Sequence, residues 1–158
     1  MQSIDTNDLN RILEAWDELL REFPAMKREL LEDLGEELLS GVRSEIRGTG
    51  TVQSWQERYL GSKNGYVAVR PKADTYKVTA HGKRYAVGYV TNAIENGHRH
   101  RSPSQQPRDG YHYRPRIHTP AVPGRHFYSA MRGRLEQIGQ AEVQALAAQV
   151  ARRLEGGA

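Results

Sequence analysis

The side chains with the most chemical potential are concentrated in residues 98–120, which hold Arg99, Arg101, Arg108, Arg114 and Arg116, with Tyr111, His112, Tyr113 and Pro115 among them. A guanidinium is a permanent cation with five donors, and a tyrosine ring is a flat apolar face with a polar tip. That combination suits three uses. It docks on a protein, because Arg and Tyr are favoured at interface hot spots. It contacts nucleic acid, through phosphates and stacked bases without sequence preference. Or it is a solvated loop. The reading takes docking first, DNA contact second and the solvated loop third. Five histidines, His98, His100, His112, His118 and His126, fall in or beside the same stretch. Zinc needs about three or four convergent ligands in fixed geometry. The chain has no Cys and no HExxH spacing, so these are read as solvated histidines, and no metal or cofactor is expected.

Catalytic signatures are sparse. The sequence shows no Gly-rich phosphate loop and no nucleophile elbow. Lack of Cys excludes thiolate nucleophiles, thiolate metal sites and disulfides. A Ser-His-acid triad would converge only in the fold, so sequence leaves it open; the expectation is that the chain is not an enzyme. The N-terminus has no basic stretch followed by an apolar run, and no segment approaches the roughly 18–20 apolar residues of a membrane span. The expectation is a soluble protein, intracellular when made and without a membrane partner.

With 158 residues, 37% apolar and 27% charged, the chain suits one domain, residues 1–158, with a modest core. Small cores of this kind often rely on neighbours for part of their burial. Net charge is +4, and residues 98–120 supply it, five Arg against Asp109. Residues 1–47 carry twelve acids and six bases, a net −6. An acidic end and a basic loop favour head-to-tail contact between copies or docking on oppositely charged partners.

Periodicity sets the elements that must position these groups. Residues 6–22 predict an amphipathic helix capped by Asp5, Thr6 or Asn7, with Leu9, Ile12, Leu13, Trp16, Leu19 and Leu20 at helical spacing. Trp16 is read as helix core or subunit interface. Pro24 is acceptable as a first-turn residue of a second helix, residues 24–47, striped by Leu30, Leu31, Leu34, Leu38, Val42 and Ile46. Beyond Gly48-Thr49-Gly50 a β-compatible stretch runs from Val52 through Ser54-Trp55 to Tyr59-Leu60. The Asn64-Gly65 turn then leads into Tyr66–Arg70, making a hairpin. Tyr76–Thr79 and Tyr85–Tyr89 are further strands. A short helix follows over 90–96, then a long loop at 98–124, and a last helix over 125–154 marked by Phe127, Met131, Leu135, Ile138, Leu146, Val150 and Leu154. Loops this long in compact domains tend to be functional. Segregated helices and strands give an α+β class: N-terminal helices, a small antiparallel sheet of three to four strands, the basic loop and a long C-terminal helix.

Two segments carry a resemblance. Tyr89–His98 contains Ile94-Glu95-Asn96-Gly97, and Val122–Met131 contains Pro123-Gly124-Arg125-His126-Phe127. Together they resemble the tail-completion, or head–tail joining, family of long-tailed bacteriophages, which includes minor tail and neck proteins. Its members show an Ile-Glu-x-Gly-Thr stretch, a variable loop, and a Pro-x-x-Phe-like opening of a C-terminal helix. His98 stands where Thr is usual, and the Pro-x-x-Thr-Gly-x-Leu-like link between helix and strand is reduced to Gly48–Val52. The resemblance implies an α+β subunit that forms a homo-oligomeric six-fold ring around the DNA path, capping the tail tube protein and binding the head connector or stopper. It places the protein in the virion, after assembly in the host cytoplasm, and implies no catalysis. It marks Ile94, Glu95, Gly97, Pro123 and Phe127 as structural motif residues. From the residues themselves, Gly97 is expected as a left-handed helix C-cap, and Glu95 as an acid that bonds backbone N–H groups, pairs with an Arg of a neighbouring copy, or stays solvated.

Overall fold

In a computed structural model, residues 6–48, 50–99 and 120–155 are described. Helix α1 spans Thr6–Glu45, forty residues, with Pro24 inside it. The break expected at Phe23-Pro24 does not occur. A proline inside a helix removes one N–H donor and orphans the carbonyl four residues back. Here Pro24 and Leu20 are both exposed, on a side of α1 with no packed neighbour among the described residues to enforce a break, and the helix continues.

The chain turns at Gly50 (φ +80°) into a short helix, α2, Thr51–Ser54, where a strand was expected. The reason lies in the end of α1, whose last carbonyls need donors. The Gln53 amide supplies them, donating to Arg43 O at 2.8 Å and Ile46 O at 2.7 Å. A helical turn at 51–54 brings Gln53 there.

Strands β1 (Gln56–Leu60) and β2 (Val67–Pro71) form the expected antiparallel hairpin, with Tyr59 opposite Ala68. Their connection is a 3-10 turn at Ser62–Asn64. A cross-strand pair, Glu57 opposite Arg70, is joined at 3.2 Å, and the Arg70 guanidinium lies 3.6 Å from the centre of the Tyr59 ring. Strands β3 (Tyr76–Val78) and β4 (Arg84–Ala86) make a second hairpin, and β5 (Gly97–His98) pairs with β6 (Val122–Pro123). The class is α+β. Instead of one sheet of three to four strands, there are three separate antiparallel pairs. The β3 side chains are all exposed, so β3 and β4 lack a buried face that would drive them to join β1 and β2.

Helix α3, Val87–Asn96, begins a turn earlier than expected and takes over the second half of the Tyr85–Tyr89 strand. Val87, Thr91 and Glu95, four residues apart, form its buried side. The Val87 N–H donates to Thr75 O at 2.9 Å, tying α3 to the segment before β3. Helix α4, Phe127–Leu154, runs antiparallel to α1. Arg134 pairs with Glu45 at 3.1 Å near one end, and Arg153 pairs with Glu22 near the other.

The core lies where α1, the β1–β2 hairpin and the start of α4 meet. Leu38, Val42, Ile46, Phe127 and Met131 are buried there, and Leu34, Val52, Val67, Val69, Ile94, Tyr128 and Ile138 pack around them. The other half of α1 is less covered. Leu19 and Met26 are buried, but Ile12, Leu13, Trp16, Leu20 and Phe23 are exposed. Among the described residues no helix is long and apolar enough to cross a membrane.

If α1 is one helix, Pro24→Ala restores a backbone donor at no packing cost. Urea denaturation should show the variant more stable by about 1–3 kcal/mol. A loss of stability would mean that Pro24 opens a second helix instead.

Candidate functional site: the stem of the basic loop

The end of α3 with residues 97–99, and residues 120–126 before α4, flank the basic stretch. Its two ends are joined by a stem built largely from the backbone. Arg125 N–H donates to Ile94 O at 2.9 Å, and His126 N–H donates to Glu95 O at 3.1 Å. Above these bonds Gly97 faces Pro123 and His98 faces Val122 in the β5–β6 ladder.

Two glycines permit this approach. A Cβ on Gly97 would stand 2.2 Å from Val122 O, and one on Gly124 would stand 2.4 Å from Glu95 O. Gly97 also has φ +67° and ψ −167°. That is a positive φ, but with extended ψ, so Gly97 is not the left-handed C-cap expected of it. It ends α3 and opens β5 in one step, in a region of backbone space essentially reserved for glycine.

Glu95 is 6% exposed and faces the start of α4. Its Oε2 accepts from Tyr128 N–H at 3.2 Å, and its Oε1 accepts from Ser129 N–H at 3.1 Å and Ser129 Oγ at 3.2 Å. First-turn N–H groups of a helix lack internal partners, and an anion there also meets the positive end of the helix dipole. His126 occupies the N-cap position in a left-handed conformation (φ 54°, ψ 33°) and makes no side-chain cap bond. The capping carboxylate therefore comes from another helix, 33 residues upstream of Tyr128. Of the three roles expected for Glu95, backbone binding is the one the structure bears out.

Polar groups continue behind this cap. Gln56 and Thr91 are fully buried. The Tyr128 hydroxyl donates to Gln56 Oε1, and Gln56 Nε2 donates to Val52 O at 3.0 Å and to Thr91 Oγ1 at 3.5 Å. Burial, with the Glu95 carboxylate as a second cause, pushes the Tyr128 hydroxyl up to about 12.

The expected site residues thus divide. Ile94, Glu95, Gly97, Pro123 and Phe127 come together at the stem. Ile94 packs on the core, Phe127 is 1% exposed within it, and Pro123 is exposed in β6. Arg99 is exposed at the loop's root. Arg101, Arg108, Tyr111, Tyr113, Arg114 and Arg116 lie outside the described residues, as do His100, His112 and His118. Gln56, Thr91, Tyr128 and Gly124 belong to the stem and were given no role from the sequence. A buried glutamine or threonine looks like any polar residue in sequence; Gly124, directly after a motif proline, was the one visible cue.

Beside the stem is a hollow of about 460 Å³, lined by apolar groups including Val52, Val90, Ile94 and Val122, and by Arg47, Arg125 and His98. The Arg125 guanidinium donates to Arg47 O at 2.7 Å. Among the described residues the Nε2 of His98 is buried without a hydrogen-bond partner. Among the described residues no cluster of three or more His, Asp or Glu is placed to hold a metal ion. Both Glu95 oxygens are engaged by the first turn of α4. Comparison with protein-family models, with curated proteins and with solved structures finds no match in any of the three.

Two outcomes are expected at the stem. Glu95→Ala removes the acceptor of the part-buried Tyr128 and Ser129 N–H groups and should cost about 2 kcal/mol, while Gly97→Ala should cost about 3 kcal/mol or more; chemical denaturation reads both. The raised Tyr128 value has a definite sign. Its stabilising effect is complete below pH 10, the unfolded value, and is lost as pH rises to about 12. Stability should therefore fall more steeply across pH 10–12 in the wild type than in Tyr128→Phe, and parallel curves would contradict the burial of that hydroxyl.

Proposed function

We propose that this chain is a structural protein of the bacteriophage head–tail joint, a tail-completion or neck subunit. In this reading it assembles as a homo-oligomeric ring that caps the tail tube and docks to the head connector, without catalysis and without a cofactor. The observation that carries the reading is the junction at Glu95. The two segments that bear the family resemblance are far apart in sequence, yet Glu95 of one caps the helix opened by the other. Motif residues placed in this way fix an architecture, as a scaffold requires, and do not furnish a reaction centre. Two further features support it. The stem joins the segments on either side of the basic, tyrosine-bearing stretch 98–120, and α1 exposes apolar side chains.

The Arg and Tyr content of residues 98–120 supports a second reading, a small nucleic-acid-binding protein that uses the same loop. Ionic strength separates the two. Duplex affinity carried by phosphate contacts falls steeply with salt, whereas attachment to a tail partner has little such slope.

The deciding experiment is native mass spectrometry of the purified protein at two salt concentrations, with and without a short DNA duplex. The expected result is a closed oligomer of about six copies, indifferent to the duplex. A monomer that takes up duplex at low salt and releases it at high salt would replace this reading with the second.

A further inference from the structure

Six residues of α1, Leu13, Trp16, Leu20, Phe23, Lys27 and Leu30, follow one another at alternating steps of three and four. That is a seven-residue repeat, the spacing that keeps one seam of a helix turned toward a partner helix wound around it. Leu34 continues the repeat and packs on the core. Before Leu34 the seam lacks such cover. Leu13, Trp16, Leu20 and Phe23 are 44–66% exposed, Lys27 is exposed and Leu30 is half-buried. The adjoining flank is the one used inside the subunit: Leu19 and Met26 are buried there, and Glu22 beside them pairs with Arg153 of α4.

The rest of the chain cannot close this seam. Residues 100–119 are tied to the stem at both ends, so even fully extended they reach about 35 Å from it. The stem meets α1 at its C-terminal end, through Arg125 on Arg47 O. Trp16 and Leu13 lie about 45–50 Å farther back along the helix, at about 1.5 Å per residue. Residues 1–5 and 156–158 offer only Met1 and Ile4 as large apolar side chains.

The one charge in the seam selects the partner. In a parallel pair of copies, Lys27 would face the Lys27 of the second copy, two like charges in an apolar seam. An antiparallel pair has a different match. With the two-fold axis between Arg21 and Glu22, Leu20 stands opposite Phe23, Leu13 opposite Leu30, and Lys27 opposite Trp16, the ring that best receives a cation. Asp17 borders the seam on the side away from Leu19, level with the same Lys27 of the second copy. Within one copy Asp17 and Lys27 are about 15 Å apart along α1, and among the described residues neither forms an ion pair. A single register therefore gives each apolar group an apolar partner and the lysine an aromatic face and a carboxylate, twice over by symmetry.

We infer that two copies of this chain pair through residues 13–30 of α1 as an antiparallel coiled coil. Apolar burial drives the contact, and Lys27 with Trp16 and Asp17 fixes its direction and register. The inference goes beyond the proposed function: a two-fold seam joins copies in pairs, and a separate contact between pairs is needed to close six.

Analytical ultracentrifugation and single cysteines test it. The wild type should pair reversibly as its concentration rises. Asp17→Lys and Lys27→Asp alter exposed positions, and circular dichroism should show wild-type helicity in both. Each alone places like charges together and should pair about tenfold more weakly. Mixed in equal amounts, they restore an opposite charge at both Asp17–Lys27 contacts, and the mixed pair should recover most of the loss. The chain has no Cys, so introduced cysteines report direction cleanly. Leu13→Cys and Leu30→Cys, mixed in a glutathione buffer, should become disulfide-linked; either alone, with its two thiols about 25 Å apart, should not. Three results would overturn the inference. A wild type that stays monomeric at all accessible concentrations leaves the seam to a different protein. Leu13→Cys that links to itself means that the helices run parallel. Charge variants that pair no better mixed than alone remove the register. The proposed function fails on a different result, salt-sensitive duplex binding by a monomer, and none of these three is that result.

Discussion

The start of α4 is the constraint on which the other features turn. A 28-residue helix has to begin with unpaired N–H groups, and the residue at its N-cap, His126, contributes no side-chain acceptor. Glu95 supplies the acceptor from α3, and in doing so becomes a buried anion that needs every donor it receives. Neither partner is comfortable without the other. A buried carboxylate lacking its donors is costly, and a part-buried helix end lacking its acceptor is too. The position of α3, the direction of α4 and the closure of the stem between them therefore form one condition.

The same logic of ends and partners runs through the rest of the fold. The C-terminus of α1 is finished by Gln53 and, one residue farther, by the Arg125 guanidinium on Arg47 O. Arg125 sits in the returning limb of the stem, so one short segment completes the exit of α1 and sets the entry of α4. Gln56, Thr91 and Tyr128 link the hairpin, α3 and α4 through hydrogen bonds inside an otherwise apolar region. Apolar packing holds these elements together, and the polar contacts fix their register, because a shifted arrangement would leave buried groups unmatched.

Much of the secondary structure was legible from spacing. The apolar stripes of 24–47 and 125–154, the Asn64-Gly65 turn and the helix before Gly97 are local signals, and local signals survive in sequence. The expected break at Pro24 failed because the sequence does not reveal whether that side of the helix will have a packed neighbour to enforce it. The strand expected at Val52–Trp55 failed because the need it meets, donors for the end of α1, arises only when two segments come together. One sheet was expected from several strand-like runs, but exposure of the β3 side chains became visible only in three dimensions. At the site, the motif residues were legible as a group. The bond between Glu95 and Ser129 was not, since nothing in either segment's composition encodes its partner.

The stem also separates two kinds of sequence freedom. Its closure depends on main-chain atoms and two absent side chains at Gly97 and Gly124, with both limbs anchored to the core at Ile94 and Phe127. None of those bonds depends on which residues stand between 99 and 120. Substitutions between residues 99 and 120 should therefore leave the main-chain bonds of the stem itself in place.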